Sequence, residues 1–287
     1  MTAPSHAHDA VLRGLDPAAE ADVAAVRTWA PPADLVAARR GYDAAAVTAG
    51  GPLVDVAVRD DLVAGVPVRR YGTNVNGTIV YAAGGGWVFG HPGSHDAYTR
   101  ALAAATGCEV VSVGFRRSPE ARMPEAIEDV TAVVRAMAGR VIVAGDSGGG
   151  LLAAEASLRT PVAAVVLLYP ALDPHLRSSR YDAGLPPGRD QMRWFWEQYA
   201  GDAHPSADIS PLYRDLPAAM PPHLILEASH DPLLDEGRAY AAKLSDVQVK
   251  TYDGQIHGFA RQLARFPLAT QTVHDIAAFL REHLDHL

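Results

Sequence analysis

The pentapeptide Gly145-Asp146-Ser147-Gly148-Gly149 sets a serine between small residues in the pattern G-x-S-x-G. The apolar run VIVA (141–144) leads into it, and the helical pattern GGGLLAAEASL (148–158) leaves it. Small residues at both ends let a tight strand-to-helix turn form without side-chain clashes. Such a turn lifts the Ser147 hydroxyl clear of the strand. The amides that open the following helix are unpaired and carry partial positive charge. A negative oxygen formed by nucleophilic attack would be stabilised there. A flexible glycine turn or a phosphate loop would read similarly, but the stretch has neither G-x-G-x-x-G nor a P-loop lysine.

A serine hydroxyl is a weak nucleophile at neutral pH and needs a base, which in turn needs an orienting group. In chains that carry this turn the order is serine, acid, histidine. Downstream, ASHDPLLDEG (228–237) follows the apolar HLILEA, and DGQIHGFA (253–260) follows VQVKTY. Asp231 and His257 are therefore the candidate acid and base. Both lie in loops at the carboxyl ends of predicted strands, the edge where open parallel sheets place their ligands. Asp235 and His230 compete with them, and an Asp before Pro also suits a helix cap.

A second glycine run, YAAGGGWVFG (81–90), follows an earlier apolar strand. With no side chains in the way, the N–H groups of Gly85 and Gly86 can approach a substrate oxygen. Together with the Gly148 amide they would form an oxyanion hole; alone, the run could equally be a plain connection. Aromatic residues gather after these glycines and again in the stretch 194–199. Trp87, Phe89, His91, Trp194 and Tyr199 are the candidate substrate-pocket residues, although Trp194-Phe195-Trp196 suits a packed core equally well.

The elements that must position these groups read as alternating strands and helices. Strands are expected at 78–83, 109–115, 140–145, 162–170, 223–229 and 247–253. Helices are expected at 94–106, 124–138, 148–158, 236–244 and 268–285. Residues 62–72 read as a further extended stretch. Residues 1–48 are Ala-rich and helical, broken at Pro31 and Pro32. The section 171–215 breaks the rhythm, with one short helix, RDQMRWFWEQYAG. Short continuous apolar strands separated by helices argue for an α/β protein whose parallel sheet is covered on both faces.

The 287 residues correspond to one large domain or two small ones, and 48% hydrophobic with 20% charged residues is ordinary for a globular chain. A net charge of −8 without a basic patch argues against nucleic acid as a partner. The single cysteine, Cys108, cannot form an internal disulfide and falls in a strand where it serves as a small hydrophobe. The N-terminal MTAPSHAHDAVLRGLD has no apolar core of a secretory signal, and no apolar run reaches the roughly 18–20 residues of a membrane span. The expectation is a cytoplasmic protein with no membrane partner. The last strand and helix offer an edge for a homodimer.

GGGW, SPEARMPEAIEDV, GDSGGG, DPLLDEG and IHGF occur in that order. In this the chain resembles the hormone-sensitive-lipase-like (bacterial esterase) branch of the α/β-hydrolases over roughly residues 50–285. The resemblance implies an α/β-hydrolase fold with an eight-stranded, mostly parallel sheet and helices on both faces. It implies a catalytic domain over 49–287, with a small helical cap from residues 1–48 and an insertion at about 171–215. It also implies a serine hydrolase that needs no metal or cofactor and acts on a small to medium acyl ester. Ser147, Asp231 and His257 would take the triad roles, and Gly85, Gly86 and Gly148 the oxyanion role. Where the family writes HGGGW this chain has Ala83, and Gly114-Phe115-Arg116 stands for Asp-Tyr-Arg. These departures imply a less rigid glycine loop and a repacked network behind it. The same triad would serve a lactonase, an amidase or an acyl-transfer or cyclisation enzyme. A non-catalytic receptor on this fold would tend to have lost a triad member.

Overall fold

In the computed structural model, residues 12–201 and 209–284 are described. The expected cap segments therefore extend beyond them at residues 1–11 and 202–208. Eight strands form one sheet: β1 (Val58–Val63), β2 (Val66–Tyr71), β3 (Thr78–Ala82), β4 (Glu109–Val113), β5 (Val141–Asp146), β6 (Ala164–Leu168), β7 (His223–His230) and β8 (Val247–Ile256). Their spatial order is β1-β2-β4-β3-β5-β6-β7-β8. The β1–β2 and β2–β4 pairs are antiparallel and the others parallel.

The helices are α1 (Glu20–Val26), α2 (Leu35–Gly50), α3 (Asp96–Thr106), α4 (Glu125–Ala136), α5 (Gly148–Arg159), α6 (Arg189–Ala200), α7 (Leu234–Ala241) and α8 (Pro267–Leu284). The break expected at Pro31 and Pro32 falls between α1 and α2.

The strand side chains alternate between two cores. Val80, Ala82, Val143, Val165 and Leu167 face one side, against Ile127 and Val130 of α4 and Leu151 and Leu152 of α5. Ile79, Tyr81, Ile142, Ala144 and Val166 face the other, against Tyr98 and Leu102 of α3 and Val273 and Ile276 of α8. Each large apolar side chain so buried contributes about 1.5–3 kcal/mol. A one-residue slip of β5 would send every one of its side chains to the wrong core, so burial sets its register and thereby the position of Ser147.

One expected element divides. Residues 62–72 form the turn and second arm of a hairpin rather than one extended stretch. Ala64 and Gly65 have φ of 51° and 82° and connect β1 to β2. Two-residue hairpin loops favour positive φ at both positions because that twist matches the flanking strands.

Candidate active site

Ser147 directly follows β5 and adopts φ 54° and ψ −123°. A non-glycine residue held there carries strain of about 1–3 kcal/mol, sustained only where its surroundings enforce it. Three backbone bonds do so. The Ser147 amide donates to Leu168 O at 2.9 Å, and Ser147 O accepts from Gly150 at 2.9 Å and Ala171 at 3.0 Å. The flanking glycines are sterically required. A Cβ at Gly145 would collide with Gly149 O, and one at Gly149 with Ala82 O.

β7 ends at His230 and β8 at Ile256, so Asp231 and His257 begin the loops beyond adjacent strands. His257 Nε2 lies 2.8 Å from Ser147 Oγ, and His257 Nδ1 lies 2.7 Å from Asp231 Oδ2. Asp231 is fully buried, and its other oxygen accepts the Leu233 amide at 2.8 Å. It therefore both caps the turn into α7 and meets the imidazole. Tyr169 packs edge-on against the His257 ring at 4.9 Å. The competing residues are engaged elsewhere. Asp235 pairs with Arg180 at 3.2 Å and accepts the Ser178 hydroxyl at 2.6 Å. His230 lies 2.8 Å from Ser229 Oγ and 3.3 Å from Arg13 O.

The second glycine run crosses beside Ser147. Gly85 and Gly86 have φ of 118° and 59°, a region that favours glycine. A Cβ at Gly86 would overlap the Phe195 ring. The loop is tied at several points. Val88 and Phe89 amides donate to Gly85 O at 3.2 and 2.9 Å. Arg39 Nε of α2 donates to Val88 O at 2.9 Å, and Arg117 donates to Phe89 O at 3.0 Å. The Gly84 amide donates to Asp146 Oδ1 at 2.8 Å, which also accepts the Tyr81 hydroxyl at 2.9 Å. His95 Nε2 lies 3.2 Å from the same carboxylate. Burial opposes ionisation of Asp146, but the charge of His95 and the bonds from His95, Gly84 and Tyr81 outweigh it. They hold the carboxyl down to about 2.

Asp146, Tyr81 and His95 thus fasten the loop in which Ala83 is fully buried. The sequence reading assigned none of the three a role. Gly114 has its own steric cause, since a Cβ there would lie 2.9 Å from Pro67 O.

A cavity of about 230 Å³ opens over Ser147, Gly85, Gly86 and His257. Of the five expected pocket residues, Phe89 lines it and the other four do not. Trp87 and Tyr199 are fully buried beneath the loop, stacked on each other at 4.3 Å, and Trp87 Nε1 donates to Gly148 O at 2.8 Å. His91 is turned away, with Nε2 2.8 Å from Asp43. Trp194 faces Trp29 at 6.1 Å. Helical periodicity explains the division along α6: Gln191, Met192 and Phe195 fall on the cavity wall while Trp194 and Trp196 point elsewhere.

The sequence reading missed Tyr42, Pro186, Pro187, Arg261 and Gln262 as wall residues. Only Arg261 and Gln262 had a usable signal, their closeness to His257. Among the described residues, no group of three or more His, Cys, Asp or Glu side chains could hold a metal ion, and no helix is long and apolar enough to cross a membrane.

Comparison with known proteins agrees with this architecture. A sequence model of the α/β hydrolase fold matches residues 79–261. The chain is 30% identical over 293 aligned positions to the carboxylic ester hydrolase LipN of Mycobacterium tuberculosis, covering 88% of this chain and 78% of that one. It is 32% identical over 232 positions to an ethyl acetate hydrolase of Pseudomonas putida, covering 72% and 73%. Among solved structures, an esterase of the bacterial hormone-sensitive lipase family is similar at TM-score 0.82 and 26% identity, covering 99% of this chain and 100% of that one.

Proposed function

Given that this chain belongs to the α/β-hydrolase family, in its hormone-sensitive-lipase-like branch, and is a serine ester hydrolase, we propose that it cleaves small to medium acyl esters through Ser147, His257 and Asp231. The observation that carries the reading is the continuous relay Ser147 Oγ–His257 Nε2 at 2.8 Å and His257 Nδ1–Asp231 at 2.7 Å. Ser147 Oγ attacks the acyl carbonyl while His257 Nε2 takes its proton. The carbonyl oxygen, now negative, is met by the amides of Gly85, Gly86 and Gly148; one such donor is worth about 10²–10³ in kcat. His257 then returns the proton to the leaving alcohol, which departs and leaves an acyl-Ser147 ester. Water, deprotonated by the same imidazole, releases the acid and restores the serine. Asp231 holds the imidazole tautomer and stabilises its transient charge.

The cavity size favours compact acyl groups, and the ester hydrolysis named for both curated relatives is consistent with this substrate class. The test is pre-steady-state kinetics on p-nitrophenyl acetate. A burst of nitrophenolate equal to the enzyme concentration, absent in Ser147→Ala, supports the acyl-enzyme. Undiminished turnover in Ser147→Ala refutes it.

A further inference from the structure

The cavity over Ser147 has two unlike walls. Phe89, Pro186, Pro187, Met192 and Phe195 make one apolar side, while Tyr42, Gln262 and Arg261 make the other polar. The guanidinium carbon of Arg261 lies 4.7 Å above the Tyr42 ring. Burial works against its charge, but the neighbouring Tyr42, Asp146, Tyr169 and Tyr81 outweigh that and favour the protonated guanidinium. Among the described residues, no carboxylate reaches ion-pair distance of this guanidinium, and no protein acceptor takes a hydrogen bond from it.

The two carboxylates on the same cavity are already engaged. Asp22 pairs with Arg265, and Asp146 accepts from Gly84 and Tyr81 and meets His95. By contrast Arg39, which also contacts the loop after the glycines, spends its donors on Glu120, Val88 O and Ser118 O. Arginine presents five N–H donors in a rigid fork matched to a carboxylate. Arg261 lines the cavity over Ser147, and no described group gives its fork an ion pair or a hydrogen-bond acceptor.

We propose that Arg261 is a specificity-determining residue that binds a carboxylate carried by the substrate. The favoured esters are then short esters with a second, anionic end, such as half-esters of small dicarboxylic acids. The anion docks on Arg261, and the apolar part of the ester lies against Phe89, Met192 and Phe195. The ester carbonyl is thereby held over Ser147. The inference rests on the esterase reading of this cavity and adds no chemical step to it.

The test compares p-nitrophenyl hydrogen glutarate with p-nitrophenyl valerate, which differ in a terminal carboxylate against a methyl group. Wild-type kcat/KM is expected to be higher for the glutarate, mainly through KM. The glutarate-to-valerate ratio should fall by about 10- to 100-fold in Arg261→Gln and Arg261→Met, the range for one lost charge-assisted interaction. Arg261→Lys should fall between, because it keeps the charge and loses the fork. A wild-type preference for valerate, or a ratio unchanged by these substitutions, overturns the proposal.

A second readout does not depend on turnover. Glutarate binding to Ser147→Ala, measured by calorimetry, should weaken by a similar factor when Arg261→Gln is added, and an equal Kd with and without Arg261 overturns the anion site. If the folded wild type cleaves neither ester, the esterase reading fails, and this calorimetric pair still decides the role of Arg261.

Discussion

The Gly84 amide donates to the Asp146 carboxylate at 2.8 Å, tying the glycine loop to the residue immediately before Ser147. Two segments 62 residues apart in the chain are thereby held in one geometry. The link spans neighbouring parallel strands, since Ala82 of β3 pairs with Gly145 of β5. Tyr81 and His95 converge on the same carboxylate and add two further contacts to this junction.

Asp146→Ala would leave the Gly84 amide, the Tyr81 hydroxyl and His95 without their acceptor. Each buried polar group left unpaired costs about 1–3 kcal/mol, so the melting temperature should drop clearly. The displaced glycine amides should lower kcat by about 100-fold, with a smaller effect on KM. Asp146→Asn keeps an acceptor for Gly84 and should lie between. Wild-type kcat in a folded Asp146→Ala protein would remove Asp146 from the account.

Gly148→Ala sets two effects against each other. Alanine is better than glycine in a helix by about 1 kcal/mol. The added Cβ, however, would stand 2.9 Å from Trp87 Cε2 and 3.0 Å from Nε1. Trp87 cannot easily retreat, because Trp196 and Tyr199 pack against it at 4.5 and 4.3 Å. Overpacking of this kind costs about 1–3 kcal/mol, so the net result should be destabilisation, read by denaturant melts. Pairing it with Trp87→Phe should recover part of the loss.

Ala83→His is expected to lower stability without raising kcat. Ala83 is fully buried, and the glycines Gly90 and Gly149 approach its backbone so closely that their own Cβ atoms would clash. The Gly84 amide already has its acceptor in Asp146. A thermal melt and a kcat measurement on p-nitrophenyl butyrate decide this; a faster enzyme of unchanged stability would show that the loop lacks support.

His223 supplies a pH signature. Burial lowers its pKa to about 4 from the ordinary 6.5, against the opposing bond to Pro221 O. The unfolded chain therefore binds the proton first, and stability falls as pH drops from 6.5 towards 4. The full effect is at most about 3 kcal/mol. His223→Asn keeps a donor for Pro221 O and removes the titration, so its melting temperature should depend less on pH across that window. An identical acid limb in both proteins would contradict this.

The parts legible in sequence were those where local rules are strict. The serine turn is contiguous, and its glycines are demanded by backbone collisions within a few residues. Asp231 and His257 follow apolar strands, so their placement at one sheet edge follows from topology. Contacts between strands were not legible: nothing in Tyr81 or His95 announces that both meet Asp146. The aromatics failed for a related reason. Trp87 and Phe89 are two residues apart in an irregular loop, where no periodicity says which faces the cavity. Residues 62–72 contain Ala64-Gly65, a hairpin signal weaker than Asn-Gly, and so read as unbroken.

Covalent labelling with a fluorophosphonate, located by peptide mass spectrometry, decides whether Ser147 is the nucleophile and His257 its base. One adduct per chain is expected, on Ser147, abolished in Ser147→Ala and strongly slowed in His257→Ala. An adduct on another residue, or labelling as fast without the His257 imidazole as with it, would contradict the account.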